Sequence, residues 1–331
     1  MFIVILCSAE TCVIAQSPKM DSLLLFLESD KNNIETYFAI AEEITKSNPL
    51  VGEKYVSEAY KISVAAKNEK NIARSHYYFG MCRYVQGKAT EAIEEFLKAN
   101  EIFEKKSDAK SLAWTYFYLS HCYISFNDRE RATYYSDGSR KFAFISKDSS
   151  TISSAYNVSG VTEQHFGDGK IALDYFKKAY SYDYQNKFCF IYIGNAYLNL
   201  GFADSAQNSF NVGLLFFKNH FDKNGEVEAY KGLAKTNVML GNNNEAIGYY
   251  QSALNALRTI SKFSGDSQEI YSALCSLYSK KNDFANAFKY SQLFIEGNDS
   301  LNLNKKFADL EASFNLEKQR LNFQKEKERK E

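Results

Sequence analysis

A small residue returns at one position through most of this chain: Ala92, Ala132, Ala172, Ala206, Ala246 and Ala287, with Gly52 on the same position upstream. The successive steps from Gly52 are 40, 40, 40, 34, 40 and 41 residues. Such a period marks a repeated supersecondary unit, which buries its apolar face against the next copy. Other columns share the period. A large apolar residue stands at Phe79, Leu119, Ile193, Leu233 and Leu274, beside a small one at Gly80, Ser120, Gly160, Gly194, Ala234 and Cys275. An aromatic column runs through Tyr116, Tyr156, Phe190, Tyr230 and Tyr271, and a second small column through Ala59, Ala99, Ser139, Ala179, Gly213 and Ala253. From residue 50 onward no proline interrupts a helix.

One more column reads Gly87, Asn127, Gly167, Gly201, Gly241 and Asn282. Gly and Asn adopt positive φ most readily, as helix C-caps require. Asp128, Asp168 and Asp283 follow directly, where a carboxylate suits the start of a helix. The columns therefore predict paired helices joined by tight turns.

Residues Ala73–Ala99 read ARSHYYFGMCRYVQGKATEAIEEFLKA. With His76, Phe79-Gly80, Gly87, Ala92, Phe96 and Ala99 in place, this segment resembles a tetratricopeptide repeat. The resemblance implies an all-α, right-handed superhelical solenoid of antiparallel helix pairs, A and B, mostly of 40-residue period. The recurring alanine would be where helix B presses on helix A, and a leucine there would overpack the pair by ~1–3 kcal/mol. The usual repeat is 34 residues long, so the six extra are expected in helix B or in the connection to the next repeat. The expected organisation is a signal peptide at 1–16, an N-terminal cap and degenerate repeat at 17–71, six repeats at 72–299, and a capping helix running into a charged coiled-coil-like helix at 300–331. The 34-residue step is where a bend is expected.

The ends carry further signals. Met1–Gln16 has an apolar start and Val13-Ile14-Ala15, a small-residue cleavage pattern. It has no basic n-region, and Glu10 interrupts it. Export to the periplasm or cell envelope is expected, with a cytoplasmic chain as the alternative. Near the other end, Phe307, Leu310, Phe314 and Leu321 fall on one helical face ahead of a charged run. Repeats, an ADLE-like segment at Ala308–Arg320 and a charged helix together resemble the periplasmic sensor regions of Bacteroidetes-type sensor histidine kinases and regulators. That resemblance implies a sensor module of a signal-transduction protein. A free-standing envelope scaffold is the alternative, as is the N-terminal part of a longer kinase or DNA-binding regulator. A homodimer through the C-terminal helix is an arrangement the charged run allows.

Chemistry is hard to find. No HExxH, GxxxxGK[ST], GxSxG or Rossmann glycine pattern occurs, so a non-enzymatic chain without cofactor or metal is expected. Lys plus Arg equals Asp plus Glu, 40 each, which gives no basic excess for nucleic acid. No apolar run is long enough to span a bilayer. Gly167-Asp168-Gly169-Lys170 reads as a turn between helices rather than a phosphate loop. The 6 cysteines form no CxxC pair and read as buried small residues.

The concave groove is the expected working surface, holding a peptide or protein ligand. The positions that face it in the family fall on Arg74, Tyr77, Met81 and Tyr84, then on Trp114, Phe117, His121 and Ile124. Asn157, Val161 and Gln164 follow, then Ile191, Asn195 and Asn199, and finally Lys231 and Lys235. Aromatic anchors at one end would give way to amides able to hold an extended backbone. The two lysines would receive a carboxylate.

Overall fold

The computed structural model describes residues 18–45, 48–259 and 265–296, and every regular element among them is a helix. After α1 (Pro18–Ser29), α2 (Ile34–Thr45) pairs with α3 (Pro49–Ala65), α4 (Glu69–Val85) with α5 (Ala89–Lys105), and α6 (Ala109–Ser125) with α7 (Arg129–Ser146). Next, α8 (Ser149–Phe166) pairs with α9 (Gly169–Tyr182), α10 (Phe188–Asn199) with α11 (Ala203–Asn219), and α12 (Lys223–Met239) with α13 (Asn243–Leu257). α14 (Gly265–Lys280) and α15 (284–296) follow. The fold is the expected solenoid of helix pairs. The expected signal peptide at 1–16 and the expected C-terminal helix at 300–331 lie outside the described residues.

Three residues suffice to join α6 to α7, because each does two jobs. Asn127 adopts φ 55°, and its N–H donates to Ile124 O at 2.9 Å. Asp128 N–H donates to Tyr123 O at 3.0 Å, completing a Schellman closure of α6. The Asp128 carboxylate then accepts from Arg131 N–H and caps α7. The same pair of closing bonds ends α4 at Gly87, α10 at Gly201, α12 at Gly241 and α14 at Asn282. Side-chain caps at Asn48 and Asn68, then at Asp108, Asp128, Asp148 and Asp168, fall twenty residues apart within each run. The forty-residue repeat is thus two arms of equal length.

Three sequence expectations need correction or sharpening here. Gly167 does not take positive φ: it sits at φ −127°, and α8 runs one residue further than α6. A Cβ there would lie 2.0 Å from Glu163 Oε2, the far end of a flexible side chain that can turn away. The turns from helix B to the next helix A place Lys67, Ser107, Lys147 and Phe221 at φ 51–56°, with no glycine to announce them. The extra six residues are not confined to helix B or the connection. Full-length arms have 17 or 18 residues, whereas across the 34-residue step α9 has 14 and α10 has 12. The difference is shared between the end of one helix B and the start of the next helix A.

The helix pairs meet where the columns said they would. Ala92, Ala132, Ala172, Ala206 and Ala246 are fully buried. Four residues on, helix B presents Phe96, Phe176 and Phe210, each seated on a glycine of helix A: Gly80, Gly160 and Gly194. A Cβ on Gly160 would lie 2.4 Å from the Phe176 ring. Where helix B carries Ser136, helix A carries Ser120, whose hydroxyl donates to Ala132 O at 2.9 Å.

Gly160→Ala is therefore expected to cost ~1–3 kcal/mol. Combined with Phe176→Leu, the loss should be clearly less than the sum of the two single losses, because the smaller side chain vacates the space. Urea denaturation of the four chains measures this coupling, and strictly additive losses would show that the ring is not seated on the glycine.

Candidate functional site

Consecutive A helices touch one another along the array, whereas consecutive B helices make no comparable contact among the described residues. The A helices therefore form the inner, concave layer. Their spacing is uneven, and residue size explains it. Between α6 and α8 the facing residues include Ser120 and Thr162, whose hydroxyls lie 3.3 Å apart, so the helices run close. Between α4 and α6 stand Tyr77, Tyr84 and Tyr118, with ring centroids 5.9 Å (Tyr77–Tyr118) and 5.7 Å (Tyr84–Tyr118) apart. That bulk holds α4 and α6 apart and leaves a cleft of about 460 Å³, within the ordinary size of ligand sites.

Tyr77, Met81, Trp114 and Tyr118 supply the apolar lining. Burial pushes the phenols of Tyr77 and Tyr118 well above their ordinary range, so both stay neutral donors. The polar groups stand in pairs around this lining. Arg74 donates from both terminal nitrogens to Glu35, at 2.5 and 2.9 Å, while its guanidinium lies 4.3 Å from the Phe38 ring centre. Lys110 donates to Asp148 Oδ2 at 3.0 Å. Asp148 also caps α8, accepting from Thr151 N–H at 2.9 Å and Thr151 Oγ1–H at 2.6 Å. The Thr151 and Lys110 hydrogen bonds bring its pKa down to about 2. Glu42 lines the cleft as well, and Tyr78 Oη donates to it at 3.5 Å.

The structure brings together four of the expected groove residues, Arg74, Tyr77, Met81 and Trp114, in this one cleft. Phe117 stands between Trp114 and His121, 5.4 and 4.7 Å away, and Tyr84 lies 6.3 Å from His121. Desolvation among these rings lowers the His121 pKa to about 4. Asn157 is buried and turned to the next pair, with its amide against Cys189 Sγ at 3.7 Å, so it is not presented to a ligand. Gln164 and Asn195 are half-buried and Asn199 is exposed, and no side-chain amide of the three hydrogen-bonds another described residue.

The lysines differ from expectation. Lys231 is 7% exposed and paired with Glu228 at 3.1 Å and Glu269 at 2.9 Å, and Lys235 also pairs with Glu269, at 2.5 Å. The carboxylate they were expected to receive comes from α14 of the same chain. Sequence reasoning missed Glu42, Lys110 and Asp148, because it took no groove position from α2, from the first turn of α6 or from the turn before α8. Asp148 stood twenty residues after Asp128, which was the available signal. Among the described residues no group of His, Cys, Asp and Glu is placed to hold a metal ion, and no helix is long and apolar enough to cross a membrane.

No family model matches the sequence, and no curated protein matches it. Similar folds occur among solved structures. A Rap protein complexed with Competence and Sporulation Factor has a TM-score of 0.66 at 14% identity, over 86% of this chain and 80% of that one. The Rap conjugation gene regulator of the plasmid pLS20, in complex with the Phr* peptide, has a TM-score of 0.61 at 16% identity, over 89% and 80%. The APC/C hetero-tetramer Cut9–Hcn1 has a TM-score of 0.54 at 17% identity; 77% of this chain is covered, and it spans about half of that chain, 46%. At these identities the likeness concerns the fold.

The half-buried, ring-enclosed imidazole of His121 gives a pH signature. Its folded-state pKa of about 4 lies below the ordinary 6.5, so between those values the unfolded chain binds more protons than the folded one. The contribution is complete above about pH 6.5 and falls away as the pH drops toward 4. Imidazole NMR shifts should therefore show His121 still neutral at pH 5.5, and a titration midpoint near 6.5 would contradict this burial.

Proposed function

We propose that the chain is a non-catalytic binding module whose concave face holds an extended peptide or protein segment. The observation that carries this reading is the open, aromatic-lined cleft between α4 and α6, on the layer that runs along the whole array. Apolar rings that are already ordered by one another supply contact area at low entropic cost. Beyond them along the same layer, Gln164, Asn195 and Asn199 carry amides that form no hydrogen bond with another described residue and can pair with a strand-like backbone. Two solved structures of similar fold are described as complexes, one with Competence and Sporulation Factor and one with the Phr* peptide, which supports this choice of ligand class. On the same proposal, the module senses that segment for a signal-transduction protein of the cell envelope, as its resemblance to periplasmic sensor regions implies.

Selection of random twelve-residue peptides on the full chain tests the reading. Peptides so selected should lose at least ~10-fold in affinity by calorimetry for Trp114→Ala, the range expected of an aromatic anchor. They should bind Leu215→Ala unchanged, because Leu215 is exposed on a B helix. Peptides indifferent to Trp114 and sensitive to Leu215 would move the site to the outer face and sink the proposal.

A further inference from the structure

We infer that the cleft between α4 and α6 takes a cationic side chain of the bound segment, an arginine or a lysine. The inference rests on the peptide-binding reading above and concerns what that segment must carry.

Charge balance around the cleft favours a cation. Two cations line it, and each already has its own carboxylate: Arg74 is held through both nitrogens by Glu35, and Lys110 by Asp148. Asp148 is further occupied as the cap of α8. Glu42 is left over. It is exposed, and among the described residues it has no ion-pair partner, only the Tyr78 hydroxyl at 3.5 Å. The neighbouring Lys19 bonds to Glu43, at 2.6 Å, and attracts Glu42 only at longer range. Counting Glu35 behind Arg74 together with the lining residues, three carboxylates stand around two cations, and Glu42 is the one that no cation bonds.

The lining itself also favours a cation. Tyr77, Tyr78, Trp114 and Tyr118 present four rings to one cavity. Ring faces are electronegative and attract a cation within about 6 Å, most strongly when water is excluded. The chain shows the same chemistry beside the cleft, where the Arg74 guanidinium lies 4.3 Å from the Phe38 ring centre and Phe38 stacks on Tyr78 at 5.1 Å. A long basic side chain would lay its methylenes along Met81 and Trp114 and bring its charge toward Glu42. An acidic side chain would meet Glu42 and the negative ring faces. A purely apolar one would bury against the rings and leave Glu42 unanswered.

The selected peptides provide the test. Those whose binding depends on Trp114 should share a basic residue at one position. Replacing that residue with norleucine, which keeps the methylenes and removes the charge, should weaken binding roughly five- to thirtyfold. Glu42→Gln on the protein should weaken the parent peptide and leave the norleucine peptide nearly unchanged, and raised salt should narrow the difference. Glu42 is exposed, so this variant leaves the fold intact. Because Trp114 is the chain's one tryptophan, its fluorescence reports occupancy of this cleft directly. Trp114-dependent peptides that lack a basic residue, or that tolerate norleucine, would overturn the inference and leave the binding module standing. A selection yielding no Trp114-dependent peptide would remove both.

Discussion

The distance between helices A and B within a pair is set by what lies where they cross, and much else follows from it. A fully buried alanine of helix B fixes the close approach at Ala92, Ala132, Ala172, Ala206 and Ala246. One turn further on, the remaining space is constant, so the two facing residues must share it. Phe96, Phe176 and Phe210 face glycine, Tyr250 corresponds to Ala234 in one core cluster, and Ser136 corresponds to Ser120. Large opposite small is what a close-packed interior requires when its helices cannot move apart. Phe210 reaches further: it is pressed between Gly194 of its own pair and Gly232 of the next, so the same rule ties one repeat to its neighbour.

Equal arms keep this register from drifting. A closing bond, a left-handed residue and a capping carboxylate fit into three residues, so helix A and helix B each use twenty positions. The short step breaks the rule at one place. There α9 and α10 each lose about a turn, and Asp183 closes the connection by accepting from Gln185 N–H at 3.1 Å. The alanine column is unaffected on either side, since Ala172 and Ala206 are both fully buried. The contact that matters lies near the A-to-B turn, whereas the shortening falls at the far ends of the arms.

This division explains what the sequence shows and what it hides. The helix pairs, the alanine contact and five of the six Gly/Asn turns were legible because each is a local constraint that admits few residue types. Gly167 misled because a glycine in the turn column is free to take either sign of φ, and here it takes φ −127°. Lys147 and Phe221 at positive φ were invisible because those residue types carry no such signal. In the site, Arg74, Tyr77, Met81 and Trp114 could be placed by register alone. The fate of Lys231 could not, since its partner Glu269 lies in a different helix pair, 38 residues on. Glu42 and Asp148 reach the cleft from helices on either side of the pair that forms it, which a reading of one repeat at a time does not join.

The site is the packing rule turned the other way. Where the facing residues are small the A helices approach closely, as α6 and α8 do over Ser120 and Thr162. Between α4 and α6 the facing positions are tyrosines, and their bulk prevents the same approach. Two of these rings rest on Phe96, Tyr118 by stacking at 5.3 Å and Tyr77 at 6.0 Å, and the neighbouring Tyr78 stacks on Phe38. Phe96 is the residue seated on Gly80. The glycine that allows one helix pair to close therefore also positions the ring that keeps the next helix away, and an opening made by rings so supported needs no rearrangement to accept a ligand. That is why the cleft belongs to the scaffold rather than to a mobile loop, and why its chemistry, aromatic faces with one spare carboxylate, can be read from the resting structure.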